Sequence, residues 1–219
     1  WMEHTSFAPM DDKHLGQFGE NTARAMRAEG NMRGRAVWRD TLGQLREIRR
    51  VRDRISARRG PEEGAAEWLL DNWYLAQREG RNGAEAFRRV RCIRYVLRGG
   101  RAFVRAAGKE AGPERLAIFL ERAQEGQALT EQELSLLIPA LKCALTERLA
   151  TLCRELEHLE DADEAALRAG MEAVFTALRM LATAELTGLL EDSSRVEQTL
   201  CRDPAGVYPA MDDETRARY

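Results

Sequence analysis

Between Arg35 and Arg58 the apolar residues Trp38, Leu42, Leu45, Ile48, Val51 and Ile55 recur at intervals of 4, 3, 3, 3 and 4. That spacing gathers them on one stripe of an α-helix and would scatter them over both faces of a strand. The positions between them are mostly arginine, as suits a helix with one buried face. The same rhythm recurs along most of the chain, and runs of β-branched residues are almost absent. The spacing predicts an all-α fold, a multi-helix bundle of about six to eight helices.

Helix boundaries follow from the punctuation. Gly60-Pro61 stops the first helix. Glu62 to Glu79 reads as a second, with Ala66, Leu69, Leu70 and Trp73 inward and Gly80 and Gly83 as its end. Ala84 to Leu97 reads as a third, with Phe87, Val90, Ile93 and Leu97 inward. Gly99-Gly100 is expected to break it before Phe103-Val104. Pro113 suits the first position of a fourth helix ending near Glu125. Thr130-Glu131-Gln132-Glu133 has the form of a capping box. It opens one long helix carrying Leu134, Leu137, Ile138, Leu141, Leu145, Leu149, Leu152 and Leu156. Pro139 lies inside that helix and predicts a kink. Asp161 or Asp163 caps a sixth helix with Met171, Val174, Phe175 and Leu178 inward, and another runs from about Ser193 to Cys201. Asp203 to Pro209 is a turn-rich linker, after which Asp212 or Asp213 caps a last helix.

Residues 1–34 lack this rhythm and contain Gly16, Gly19, Gly30 and Gly34. They read as a poorly ordered leader with one short helix near Asn21–Glu29, ahead of a helical domain over 35–219. The chain does not begin with Met and stops within a nascent helix, so a longer parent protein is expected.

Charge is distributed unevenly. The net charge of −2 over 219 residues conceals 23 Lys and Arg against 15 Asp and Glu in residues 1–110, and 11 against 21 in residues 111–219. Only Lys13, Lys109 and Lys142 are lysine. Arg33–Arg59 holds ten arginines and three acids. Such a face can stay solvated, meet the acidic run Glu155–Glu164, or meet anionic lipid or another domain. Arg39, Arg46, Arg49, Arg50 and Arg54 are its interaction candidates. Because lysine is so scarce, the arginine richness is partly a bias of composition, and nucleic acid is not expected as a partner.

No stretch approaches the roughly 20 apolar residues of a membrane span, and the N-terminus lacks a signal-peptide pattern. Cys143 and Cys153 share one helix at about 15 Å by helical rise, too far for a disulfide. All four cysteines, Cys92 and Cys201 included, are expected to be reduced in a cytoplasmic setting. His4, His14 and His158 are the only histidines, with no partner at metal-ligand spacing, and nucleophile-elbow, dinucleotide and P-loop motifs are absent. Asp161-x-Asp163 reads as a helix cap rather than a metal site. Trp68 and Trp73 point apart on a helix and cannot form one sugar platform. No catalytic, cofactor-binding or metal-ligating residue is assigned.

Three segments resemble one family. Trp68-Leu69-Leu70-Asp71-Asn72-Trp73-Tyr74-Leu75 looks like a Trp-Leu-Leu-Asp-Asn-aromatic segment near the start of bacterial cyclic β-1,2-glucan synthases. Leu129-Thr130-Glu131-Gln132-Glu133-Leu134, with Ile138-Pro139 and Leu145-Thr146-Glu147-Arg148-Leu149, resembles a helix of the same family, although Leu136 stands where that family often has tryptophan. Val196-Glu197-Gln198 and Asp203-Pro204-Ala205-Gly206-Val207-Tyr208-x-x-Met211-Asp212-x-x-Thr215-Arg216-x-x-Tyr219 is the most specific of the three. The resemblance spans roughly residues 65–219 and fades between Arg78 and Glu125. From it come the further interaction candidates Trp68, Asp71, Asn72, Asp203, Tyr208 and Arg216.

The resemblance implies the helical region that precedes the transferase domain of a large inner-membrane enzyme. UDP-glucose and a divalent metal would belong to that parent enzyme, and no cofactor to this segment. The implied partners are the transferase and membrane segments of the same polypeptide, on the cytoplasmic side of the bacterial inner membrane. An anionic membrane surface and β-1,2-glucan are further candidate partners. The alternative reading is an independent helical adaptor whose basic helix meets an acidic protein or anionic membrane.

Overall fold

The computed structural model describes residues 9–27, 33–57, 64–91, 96–125, 128–158, 163–183 and 194–218. Ten α-helices and one turn of 3₁₀ helix, and no strand, occur among the described residues. The helices are α1 (Asp12–Arg27), α2 (Gly34–Ser56), α3 (Ala65–Phe87), α4 (Val96–Ala107), α5 (Pro113–Ala123), α6 (Glu131–Ser135), α7 (Leu137–Glu157), α8 (Glu164–Thr183), α9 (Arg195–Leu200) and α10 (Asp213–Arg218). The all-α bundle is as the apolar spacing predicts.

Helix α7 is the centre, packing against α2, α3, α4 and α8. Its Leu141, Leu149, Leu152 and Cys153 are fully buried or nearly so. Helices α2 and α3 form an antiparallel pair. Arg52 lies over Trp73, Leu45 beside Gly80, and Trp38 beneath Arg88 just past the end of α3. As the first residue number falls, its partner's rises. On α2 the buried stripe is Val37, Thr41, Leu45, Ile48, Val51 and Ile55. Trp38 and Leu42, expected inward, are half-buried at the edge of that stripe.

Four expectations are corrected. Gly80 and Gly83 do not end a helix, because α3 runs through both. A Cβ on Gly80 would lie 2.8 Å from Thr146 Oγ1, and one on Gly83 would lie 2.9 Å from the Pro139 carbonyl oxygen. These glycines are notches that let α7 approach α3. Tertiary packing there outweighs the weak helix propensity of glycine. Gly99-Gly100 likewise lies inside α4, with Gly100 against the backbone of Ala140. The third helix expected over Ala84–Leu97 is instead divided between α3, which ends at Phe87, and α4; Ile93 lies outside the described residues. The fourth correction concerns the leader. Residues 12–27 form α1, whose Leu15 is fully buried and which packs on α4 and α5. A Cβ on Gly19 would lie 2.7 Å from the Phe119 carbonyl oxygen, so the glycines there also serve close packing.

Other boundaries follow the local chemistry. Thr130 and Glu133 form the reciprocal capping box of α6. The kink expected at Pro139 is a break at Leu136, which separates α6 from α7. The proline ring crowds the carbonyl of Ser135 four residues back, and its missing N–H falls in the first turn of α7, where no intrahelical bond is needed. Asp163 caps α8 through the N–H groups of Ala165 and Ala166. Gly64 enters α3 at φ 71°, and Glu164 of α8 accepts a 2.9 Å hydrogen bond from the Ala65 N–H. A Cβ on Gly64 would collide with that carboxylate at 2.1 Å.

Candidate functional site

A cluster of four arginines lies between α2 and α3. Arg39, Arg46 and Arg49 of α2 and Arg81 of α3 line a groove of about 350 Å³. Trp38, Leu42, Leu45, Trp73 and Gln77 complete its lining, with Leu45 and Trp73 buried. Arg39 and Arg46 share a helix face because a seven-residue separation falls only about 20° short of two full turns, and Arg49, one turn beyond Arg46, borders the same side. Arg49 has Asp53 at 3.6 Å on its own helix. Arg39, Arg46 and Arg81 have no ion-pair partner among the described residues.

The opposite side of α2 is electrostatically satisfied. Arg54 pairs with Glu157 at the end of α7, and Arg154 of α7 reaches both carboxylate oxygens of Glu47 at 3.1 Å. One member of the acidic run at Glu155–Glu164 therefore meets the arginine helix directly. Arg54 belongs to this internal contact and not to the groove. Arg50 is exposed and does not line the groove. Arg81, which does line it, was hidden from sequence reading because α3 was expected to stop at Gly80. Once the helix continues, Trp73, Gln77 and Arg81 share a face at four-residue intervals.

Trp68 and Asn72 come together, and Asp71 does not join them. Asn72 donates to the Trp68 carbonyl at 3.0 Å and accepts from Arg179 of α8, whose guanidinium lies 5.8 Å over the Trp68 ring. This contact joins α3 to α8. Asp71 is exposed. Trp73 is buried against Arg52, so the two tryptophans do face different surroundings.

Asp203, Tyr208 and Arg216 come together. Asp203 accepts from the N–H groups of Ala205, Val207 and Tyr208 at 3.0, 3.1 and 3.4 Å. Those bonds hold its carboxyl below the usual range. The Tyr208 hydroxyl donates to Glu197 of α9, which pushes the phenol up to about 12. Arg216 lies 5.6 Å from the Tyr208 ring, reaches Glu197 at 3.5 Å and donates to the Pro209 carbonyl at 2.6 Å. These contacts within the cluster lock α9, the turn and α10 together. Ser194 ties this unit to α6 through a 3.0 Å hydrogen bond to Glu131.

A second cationic depression, of about 190 Å³, lies between α4, α7 and α8 and includes Arg101, Arg105 and Arg148. Glu147 pairs with Arg101 there at 2.5 Å. Among the described residues no group of three His, Cys, Asp or Glu side chains is placed to hold a metal ion. No helix among them is long and apolar enough to cross a membrane.

No family model, curated protein or solved structure matches the chain.

Proposed function

We propose that the chain is a non-catalytic helical docking domain of a cyclic β-1,2-glucan synthase-like membrane glycosyltransferase. In this reading it positions the transferase and membrane segments on the cytoplasmic side of the inner membrane. UDP-glucose and a divalent metal are handled by the parent enzyme. The observation that carries the docking role is the α2–α3 groove. There Arg39, Arg46 and Arg81 lack ion-pair partners among the described residues, while the other side of α2 is paired with α7. The link to glucan synthesis rests on the resembling segments. Their residues include the capping box at Thr130 and the locked Asp203–Tyr208–Arg216 turn, features that organise structure rather than perform chemistry.

Deletion of residues 35–219 from the parent protein tests this. Loss of glucan synthesis or of membrane assembly is expected. Unchanged synthesis and assembly would overturn the reading, as would a gene that ends near Tyr219. The same groove arginines also favour an independent adaptor that meets an acidic partner. That second reading predicts a gene without downstream membrane-spanning and transferase segments.

A further inference from the structure

The geometry points to the α2–α3 groove as a seat for an acidic amphipathic helix of a partner protein or domain. This deepens the docking reading by naming the partner's chemistry, and it rests on that reading only for the existence of a partner.

The groove is elongated because two antiparallel helices form it. Arg39 and Arg46 are about 10 Å apart along α2, and Arg39 and Arg49 about 15 Å, by helical rise. A helix lying alongside presents carboxylates at the same seven-residue repeat. Arg81 on the opposite wall would take a carboxylate from the other edge of the incoming helix. Guanidinium groups suit such carboxylates because they can bind them in bidentate fashion. Beside the arginines, Trp38, Leu42 and Leu45 offer an apolar lining for one or two aliphatic side chains. Acid on both flanks of an apolar stripe is therefore the complementary pattern, as in helix-in-groove recognition.

Two other anionic occupants fit less well. A free phosphate would find only side chains from helix interiors, with no N-terminal N–H groups aimed at it. A lipid surface would need apolar side chains standing proud of the basic rim. Here Leu45 and Trp73 are only 5% and 8% exposed, and Trp38 and Leu42 are half-buried beside the exposed arginines.

The probe is a fluorescein-labelled synthetic peptide of about three heptads, with leucine at the core positions and glutamate on both flanks. Binding to the 219-residue chain is read by fluorescence anisotropy. Saturable binding is expected, weakening about tenfold in R39E/R46E and in R81E, and less in R39Q/R46Q. R168E changes the same charge on exposed Arg168 of α8 and should leave affinity unchanged. A peptide of identical composition with the leucine stripe permuted should bind about tenfold more weakly. The proposal fails if no saturable binding occurs, if the permuted peptide binds equally, or if R168E weakens binding as much as R81E. It also fails if phosphatidylglycerol vesicles bind and the peptide does not, or if the chain occludes the groove by self-association. These measurements use the isolated chain, so their failure leaves the outcome of the parent-protein deletion independent.

Discussion

The Lys142 ammonium and the Glu79 carboxylate lie 2.8 Å apart across the contact between α7 and α3. The Glu79 side chain is only 4% exposed and also accepts from Arg78 at 2.6 Å. Burial pushes the Glu79 carboxyl upward, but the hydrogen bonds from Lys142 and Arg78 outweigh it and hold the group below its ordinary value of 4.5. Removing Lys142 strips the buried carboxylate of its better-buried partner. K142A is expected to cost about 3 kcal/mol in urea unfolding.

The same pair gives a pH dependence with a defined sign. A carboxyl depressed in the folded state contributes stability above its unfolded value, and that contribution is lost as pH falls through the folded value. The urea midpoint should therefore drop below about pH 4.5 more steeply in the wild type than in E79Q, whose amide does not titrate. Parallel curves for the two proteins would contradict this account of Glu79.

Glycine substitutions should divide by location and not by helix propensity. Gly43 lies within α2, and a methyl added there would meet only Arg46 Nη2, at 4.0 Å. G43A is expected to stabilise by about 1 kcal/mol, the usual difference between glycine and alanine in a helix. In G83A the new methyl meets the Pro139 carbonyl oxygen and Lys142 Cβ, each at 2.9 Å. The helices must then separate, and a net loss of about 2 kcal/mol is expected from overpacking. Thermal unfolding of both variants decides the matter by the opposite signs.

The thiols should differ in reactivity. Burial pushes Cys143 up to about 11 and Cys153 up to about 12, so neither supplies thiolate near neutral pH. Cys201 is exposed, although desolvation and its hydrogen bond to Glu197 also raise it. Iodoacetamide at about pH 8, followed by peptide mass mapping, should label Cys201 and spare Cys143 and Cys153 until the chain is unfolded.

Tyr208 should ionise late. Its donation to Glu197 raises the phenol to about 12, whereas Tyr74 is exposed on α3. Ultraviolet titration of the wild type against Y208F should assign a phenolate transition near pH 12 to Tyr208. In E197Q that transition should move down toward 10, the ordinary tyrosine value, because the anionic neighbour is gone.

The helical elements were legible where a local signal fixes the backbone. Thr130 with Glu133, Asp163, Ser194 and Asp212 all cap helices through their own side chains, and capping depends on residues within one turn. The positions that misled were Gly80, Gly83 and Gly99-Gly100. Glycine weakens a helix by propensity yet permits a close crossing, and the two effects cannot be separated without knowing which helix lies opposite. The candidate groove was half legible. The arginine-rich stretch marked Arg39, Arg46 and Arg49 together with Arg50 and Arg54, which lie outside the groove, whereas Arg81 depended on the continuity of α3.

By itself the sequence determined that the described residues fold into helices alone and where most of those helices begin, because hydrophobic period and caps act over a few residues. It also carried the separation of positive and negative charge along the chain. Only the tertiary structure decided which arginines of α2 are neutralised by α7 and which line the groove. The packing of α2 against both α3 and α7 turned one side of α2 toward Glu157 and left the other side open. Charge neutralisation depends on distances between residues remote in the chain, so it is settled by packing and not by composition.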